Sequence, residues 1–310
     1  MSYYSAGIEV APGRSDFLCP LANISQCALT ETDDNLVFLI YNPLTKPIEE
    51  QIVRIPVKEA NIQVFDKNLQ EMYVEFVPVP EFVKNIPGRD SESQFDAVFL
   101  VQDIPPLGYQ TYFLKKNEIP NPDLIVTVEE LESWDDLPII ANVGYYQGSG
   151  QEPQPSGAYI FRPATQDKTV LEIEKVFQVS GYLVDEIWCL TNKDWASFIQ
   201  RPSYRSTGNN FHEVEWLVGP IPEDGSGTEV VMSYGPKQGF PGAGTFNCDS
   251  NGGKCEFWTD SNGRQMMKRI QDTRFSYDLN GGELSEPVAS NYYPINSGNY
   301  HAYIRVRLRF

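Results

Sequence analysis

Histidine and cysteine are scarce in this sequence, with two His and five Cys in 310 residues. His212 and His301 stand far apart, and no two close Cys pairs exist, so a zinc ribbon or finger is excluded and no metal site is expected. Five cysteines are too few for a disulfide scaffold of this length. Long apolar runs are missing: none approaches a membrane span, and the stretch before Cys19 lacks the apolar core of a signal peptide. Basic residues are in the minority, 24 Lys plus Arg against 42 Asp plus Glu, for a formal charge of −18. Such a surface repels phosphate backbones and anionic headgroups, so neither nucleic acid nor a membrane is expected as a partner. Glycines 239, 242 and 244 cluster without a following Lys-Ser/Thr, which excludes a phosphate-cradling loop. A Gly-x-Ser-x-Gly elbow is absent too. No catalytic residue is expected within the chain.

What is present is a string of strands. Hydrophobic residues make up 41% and aromatics 13%, enough for a sizeable core. Short apolar or alternating runs read as strands over 36–41, 52–57, 62–65, 72–76, 97–101 and 109–114, with Pro56 marking an edge strand. Turn signals between them predict a β-sandwich over residues 1–118, including an N-terminal extension. Asn117 to Pro122 reads as a linker, and a second, larger β domain is expected over 119–310. Its clearest strands are 158–161, 170–179, 182–190 and 212–218, and Asn262-Gly263 predicts a hairpin after Trp258. Arg305, Arg307 and Arg309 alternate with apolar residues at the C-terminus, the pattern of a strand with a solvated face.

Cys19 and Cys27 bracket Asn23-Ile24-Ser25, the only Asn-x-Ser/Thr sequon. That spacing suits a small closable loop beside a glycan acceptor, Asn23, and points to an oxidising secretory route. Lumenal features without a leader suggest a fragment. The acidic balance suits an acidic compartment, where protonation of carboxylates relieves self-repulsion. Cys248 and Cys255 flank a Gly/Asn-rich loop that a second bridge would close, leaving Cys189 unpaired. Paired carboxylates carry glycosidase chemistry, but spacing along the chain does not give their separation. Asp185, Glu186 and Asp260 are therefore expected to be solvated surface groups. Tyr145, Tyr146, Tyr159, Trp216, Trp258, Tyr292 and Tyr293 offer faces for sugar stacking, although in a sandwich most such residues are core.

Four longer stretches, Ser156 to Pro163, Glu213 to Pro222, Thr259 to Arg264 and Pro287 to Asn296, resemble the lysosomal-type α-mannosidases of glycoside hydrolase family 38. Cys19-Pro20-Leu21, Tyr41-Asn42-Pro43-Leu44 and Leu107-Gly108 are similar to the same family. The resemblance implies the family's C-terminal β domains: a sandwich, then a super-sandwich of the galactose-mutarotase-like type, cut short at Phe310. It implies mannose-containing glycans as substrate and the catalytic domain or subunit of the same enzyme as partner. Zinc would belong to the full-length enzyme, with no cofactor in this chain, and localisation would be lysosomal or secreted. Tyr159 and Arg269 match the positions that line the family's mannose pocket. The function expected is that of the C-terminal part of such an enzyme, inactive alone. A stand-alone mannose-binding or structural β module is the alternative.

Overall fold

The structure, a computed structural model, describes residues 6–9, 19–135, 137, 139, 141–150, 164–165, 168–201, 211–222, 227–234, 256–260, 266–270 and 302–309. The first half holds β1 (Ala6–Glu9), α1 (Ala28–Thr32), β2 (Asn35–Tyr41), β3 (Ile48–Val57), β4 (Ile62–Phe65), β5 (Glu71–Met72), β6 (Val74–Pro78), α2 (Glu81–Lys84), β7 (Phe95–Ile104) and β8 (Tyr109–Lys116). The second half holds β9 (Thr127–Glu130), β10 (Ala141–Gln147), β11 (Thr169–Val170), β12 (Ile173–Ser180), β13 (Asp185–Thr191), β14 (Ala196–Arg201) and β15 (Phe211–Val218). It continues with β16 (Thr228–Tyr234), β17 (Glu256–Asp260), β18 (Met266–Ile270) and β19 (Ala302–Arg309). The chain is all-β, with two short α-helices among the described residues.

Strands of the first half form two sheets, β1-β2-β8-β4-β5 and β3-β7-β6. Those of the second form β19-β15-β14-β13-β12-β9, β11-β10-β16 and the pair β17-β18. Alternation stacks four of these sheets. On β2, Leu36, Phe38 and Ile40 turn inward and meet Ile55, Val57, Phe76, Ala97 and Phe99 of the facing sheet. The other face of that sheet offers Ile52, Val77 and Val98, which pack on Val179, Trp188 and Ile199 of the six-stranded sheet. The far side of the six-stranded sheet presents Val176, Cys189, Phe198 and Val214 to Ala141, Val143 and Val230. β3, β7 and β12 to β15 thus lie in sheets apolar on both faces, which explains their weak alternation.

β3 lies at the edge of its sheet, as Pro56 requires. The stretch from Asn117 to Pro122 is tied down: Asn117 N–H donates to the Asn61 carbonyl at 2.6 Å, and Asn121 N–H to that of Ala60 at 2.8 Å. The run 170–179 divides into β11 and β12, with a register shift between Ile173 and Lys175. β17 and β18 pair antiparallel, as a hairpin demands, while Asn262-Gly263 and the run 158–161 lie outside the described residues. Cys248 and Cys255 lie outside them as well.

Two of the resembling motifs prove to be one structural turn. Asn42 is fully buried, and its amide donates to the carbonyls of Lys46, Ile104 and Pro105 while its oxygen accepts from Leu44 N–H. Gly108 carbonyl accepts from Asn42 N–H at 2.8 Å, and a side chain at Gly108 would meet Pro105 Cγ at 2.7 Å. Full satisfaction of a buried amide explains these residues without a ligand.

Candidate functional site

Three polar centres interrupt the apolar layers. The first lies in the seam between the β3-β7-β6 sheet and the six-stranded sheet. Alternation on β13 that sends Ile187 and Cys189 one way sends Glu186 and Trp188 into the seam. Arg54 of β3 pairs with Glu186 across the seam. Arg201 of β14 donates from Nε to Glu186 at 2.9 Å, and its Nη1 meets Glu213 at 3.2 Å and Glu215 at 2.8 Å. Trp188 Nε1 donates to the second Glu186 oxygen at 2.8 Å. Burial pushes the Glu186 carboxyl up, but Arg201 and Arg54 outweigh it and hold the group down at about 2. The ladder sets Arg305 and Arg307 of β19 directly opposite Glu215 and Glu213.

The seam has a second anchor. Glu75 of β6 accepts from Tyr182 N–H and, at 2.8 Å, from Leu183 N–H in the turn between β12 and β13. A side chain at Gly181 would meet Glu75 Oε2 at 2.6 Å and Val126 Cγ1 at 2.7 Å, so only glycine lets the turn close on the carboxylate. Asp96 of β7 also faces this side. Its Oδ2 accepts from the Ser25 hydroxyl at 3.1 Å, whereas Oδ1 is sealed from solvent with no hydrogen-bond partner.

The second centre is at the end of the β10–β16 pair. Tyr146 and Glu229 stand opposite each other on the face turned away from the core, yet both are buried. Glu229 is 7% exposed and has no hydrogen-bond or ion-pair partner among the described residues; burial pushes its carboxyl up to about 7. Lys168, just before β11, reaches across Gly144 of β10 to donate to Asn142 at 3.3 Å, and burial lowers the pKa of its ammonium. Gly148 N–H donates to the Gly227 carbonyl, and Ala164 N–H to that of Gln147 at 2.8 Å. Gly148 and Ala164 are thus tied to the end of the β10–β16 pair that holds Glu229.

The third centre is the N-terminal loop. Cys19 and Cys27 are joined in a disulfide, with Cα atoms 5.1 Å apart. Asn23 is exposed in a short 3-10 turn inside this loop. Glu31 closes the loop from below, accepting from Cys27 N–H, Glu92 N–H and the hydroxyls of Ser91 and Ser93. Burial opposes its ionisation, but these bonds together leave its carboxyl below the ordinary value. Arg89 crosses to the carbonyls of Ile24 and Ser25 at 2.9 and 2.7 Å.

Of the residues singled out by sequence, Tyr145 packs edge-on against Trp195 and Trp216 joins the same core, its indole N–H unpartnered. The surface expectation for Glu186 is overturned: it is 2% exposed, because strand alternation turns it into the seam. Asp260 and Arg269 lie on β17 and β18, with Phe257 and Arg269 paired, and Tyr159 lies outside the described residues. Cys189 is free and fully buried, and burial pushes its thiol up to about 12, which makes it unreactive. Glu75, Asp96 and Glu229 went unnoticed in the sequence, because acidic residues there carry no mark of burial.

Comparison with known proteins bears on these centres. Over 94% of its length the chain is 32% identical to an α-mannosidase of Canavalia ensiformis. It is 32% identical over 93% of its length to the lysosomal α-mannosidase of Bos taurus, and 28% identical over 91% to that of Homo sapiens. The chain is a relative of the α-mannosidases. It covers 32%, 28% and 29% of those three proteins, so it spans about a third of the length of the relatives it matches. No protein-family model matches the chain.

His212 lies on β15, opposite Leu308, and His301 lies outside the described residues. Among the described residues no helix is long and apolar enough to cross a membrane.

Proposed function

We propose that this chain is the C-terminal, non-catalytic β portion of a family 38 lysosomal-type α-mannosidase that removes terminal α-mannose from glycoprotein glycans. The observation that carries this reading is similarity along nearly the whole chain to α-mannosidases three times as long. The zinc and the nucleophile belong to the rest of the polypeptide, as the resemblance implies. Tyr159 and Arg269 line the sugar pocket. What supports this role is the match of both residues to the family's pocket positions. Asn23, exposed beside the disulfide, carries a glycan, and the enzyme works in the lysosome or after secretion.

The purified chain supplied with zinc is expected to leave nitrophenyl α-mannoside uncleaved; zinc-dependent turnover would overturn the reading. Exchanged for the matching third of the Canavalia ensiformis enzyme, the chain is expected to restore hydrolysis. In that chimera Tyr159→Phe and Arg269→Met are each expected to lower kcat/KM at least ~10-fold, about 1.4 kcal/mol of transition-state binding. A folded, zinc-loaded chimera that is inactive, or indifferent to both changes, refutes the assignment.

A further inference from the structure

The seam buries more ionised groups than two packed sheets need, and one is placed differently from the others. Glu186 and Glu75 each have donors on both oxygens, whereas Asp96 has one oxygen bonded to Ser25 and the other closed off with no donor. A carboxylate sealed in this way favours its neutral form, because neither water nor a donor solvates the charge. Charged groups converge on it from several elements. Arg54 on β3 and Glu75 on β6 share its side of the sheet. Glu186 on β13, Arg201 on β14, and Glu213 and Glu215 on β15 face it across the seam, and Glu31 of α1 and Arg89 lie around Ser25. Arg54 attracts Asp96 but is paired with Glu186, which repels it.

We propose that this seam is a proton-sensitive lock, in which Asp96 takes up a proton as the solution turns acid and the two sheets then grip each other more tightly. The inference does not depend on the mannosidase reading. Burial is the main influence on Asp96; Arg54 and the Ser25 bond oppose it, Glu186 reinforces it, and together they lift the carboxyl to about 6. Because the folded value lies above the ordinary 3.8, stability is gained as pH falls through about 6 and is complete below 3.8. Glu186, held at about 2, stays charged throughout this window, so the bridge of Arg54, Glu186 and Arg201 persists while Asp96 is neutralised.

The test compares unfolding of the chain, Asp96→Asn and Asp90→Asn from pH 7 to pH 4.5. Asp90 is exposed and controls for the loss of one negative charge. Asp96 should contribute about a twentyfold gain in the folding equilibrium over that range, from roughly a hundredfold in full. Asp96→Asn should lose this part and at pH 7 be at least as stable as the parent, whereas Asp90→Asn should keep the parent's slope. Any gain from Glu229 remains in all three proteins, so only the difference in slope matters. A parental slope in Asp96→Asn overturns the proposal. Should that variant fail to fold, amide exchange of Tyr182 and Leu183 in the parent decides. After correction for intrinsic rates, their protection should be greater at pH 5 than at pH 7, and equal protection refutes the lock.

Discussion

Arg201→Met removes the cation that three buried glutamates share. Its guanidinium lies 2.9 Å from Glu186, 3.2 Å from Glu213 and 2.8 Å from Glu215, and the residue is 5% exposed. A hydrogen bond to a charged partner contributes about 1.5–3 kcal/mol net, and three cannot simply be added because they share one group. Removal of one member of a buried ion pair costs about 3–5 kcal/mol, chiefly because the opposite charges stay behind in a poorly solvating place. Met fills most of the volume, so little of the loss comes from a cavity. The expected loss is therefore about 3–5 kcal/mol, a large share of the roughly 5–15 kcal/mol that holds a folded domain. Urea unfolding followed by tryptophan fluorescence reads it, since Trp188 donates to the same Glu186. Arg201→Lys keeps the charge without the planar fork and should lose less. A loss below about 1 kcal/mol for Arg201→Met would refute the argument, because it would mean that the seam glutamates do not depend on this cation.

Glu31→Ala should destabilise the N-terminal loop by at least about 2 kcal/mol, since it strands the N–H groups of Cys27 and Glu92 and two serine hydroxyls. Thermal melts would show it, and an unchanged midpoint would mean that water replaces the carboxylate. The Glu31 carboxyl lies below its ordinary value, so this contribution is present at neutral pH and is lost as pH falls through the folded value, opposite in sign to that of Asp96. Cys19→Ser with Cys27→Ser reopens a loop with a sequence separation of 8. By loop-closure entropy this costs about 2.5 kcal/mol, measurable in the same melts, and a neutral double variant would show the bridge to be dispensable.

Much of the fold was legible in the sequence because its signals are local. Alternation places β2 and β8, Pro56 puts β3 at an edge, and a sequence separation of 8 between Cys19 and Cys27 suffices for a bridge. The family motifs around Asn42 and Gly108 are legible too, although only the structure shows that they meet in one turn. Tyr159 and Arg269 came from resemblance, not from any pattern in burial or charge.

What the chain alone determined is therefore its class, its strands and its kinship, each set by spacing over a few residues or by motifs in order. Which acidic residues would be buried was decided by the stacking of sheets. Arg54 and Glu186 are 132 residues apart and meet only because two sheets present the same face to one seam. Sequence spacing carries the period of a strand but not the identity of the sheet that packs against it. For that reason Glu186 read as a surface carboxylate, and Asp96, Glu75 and Glu229 carried no mark in the sequence, until the tertiary structure turned them inward.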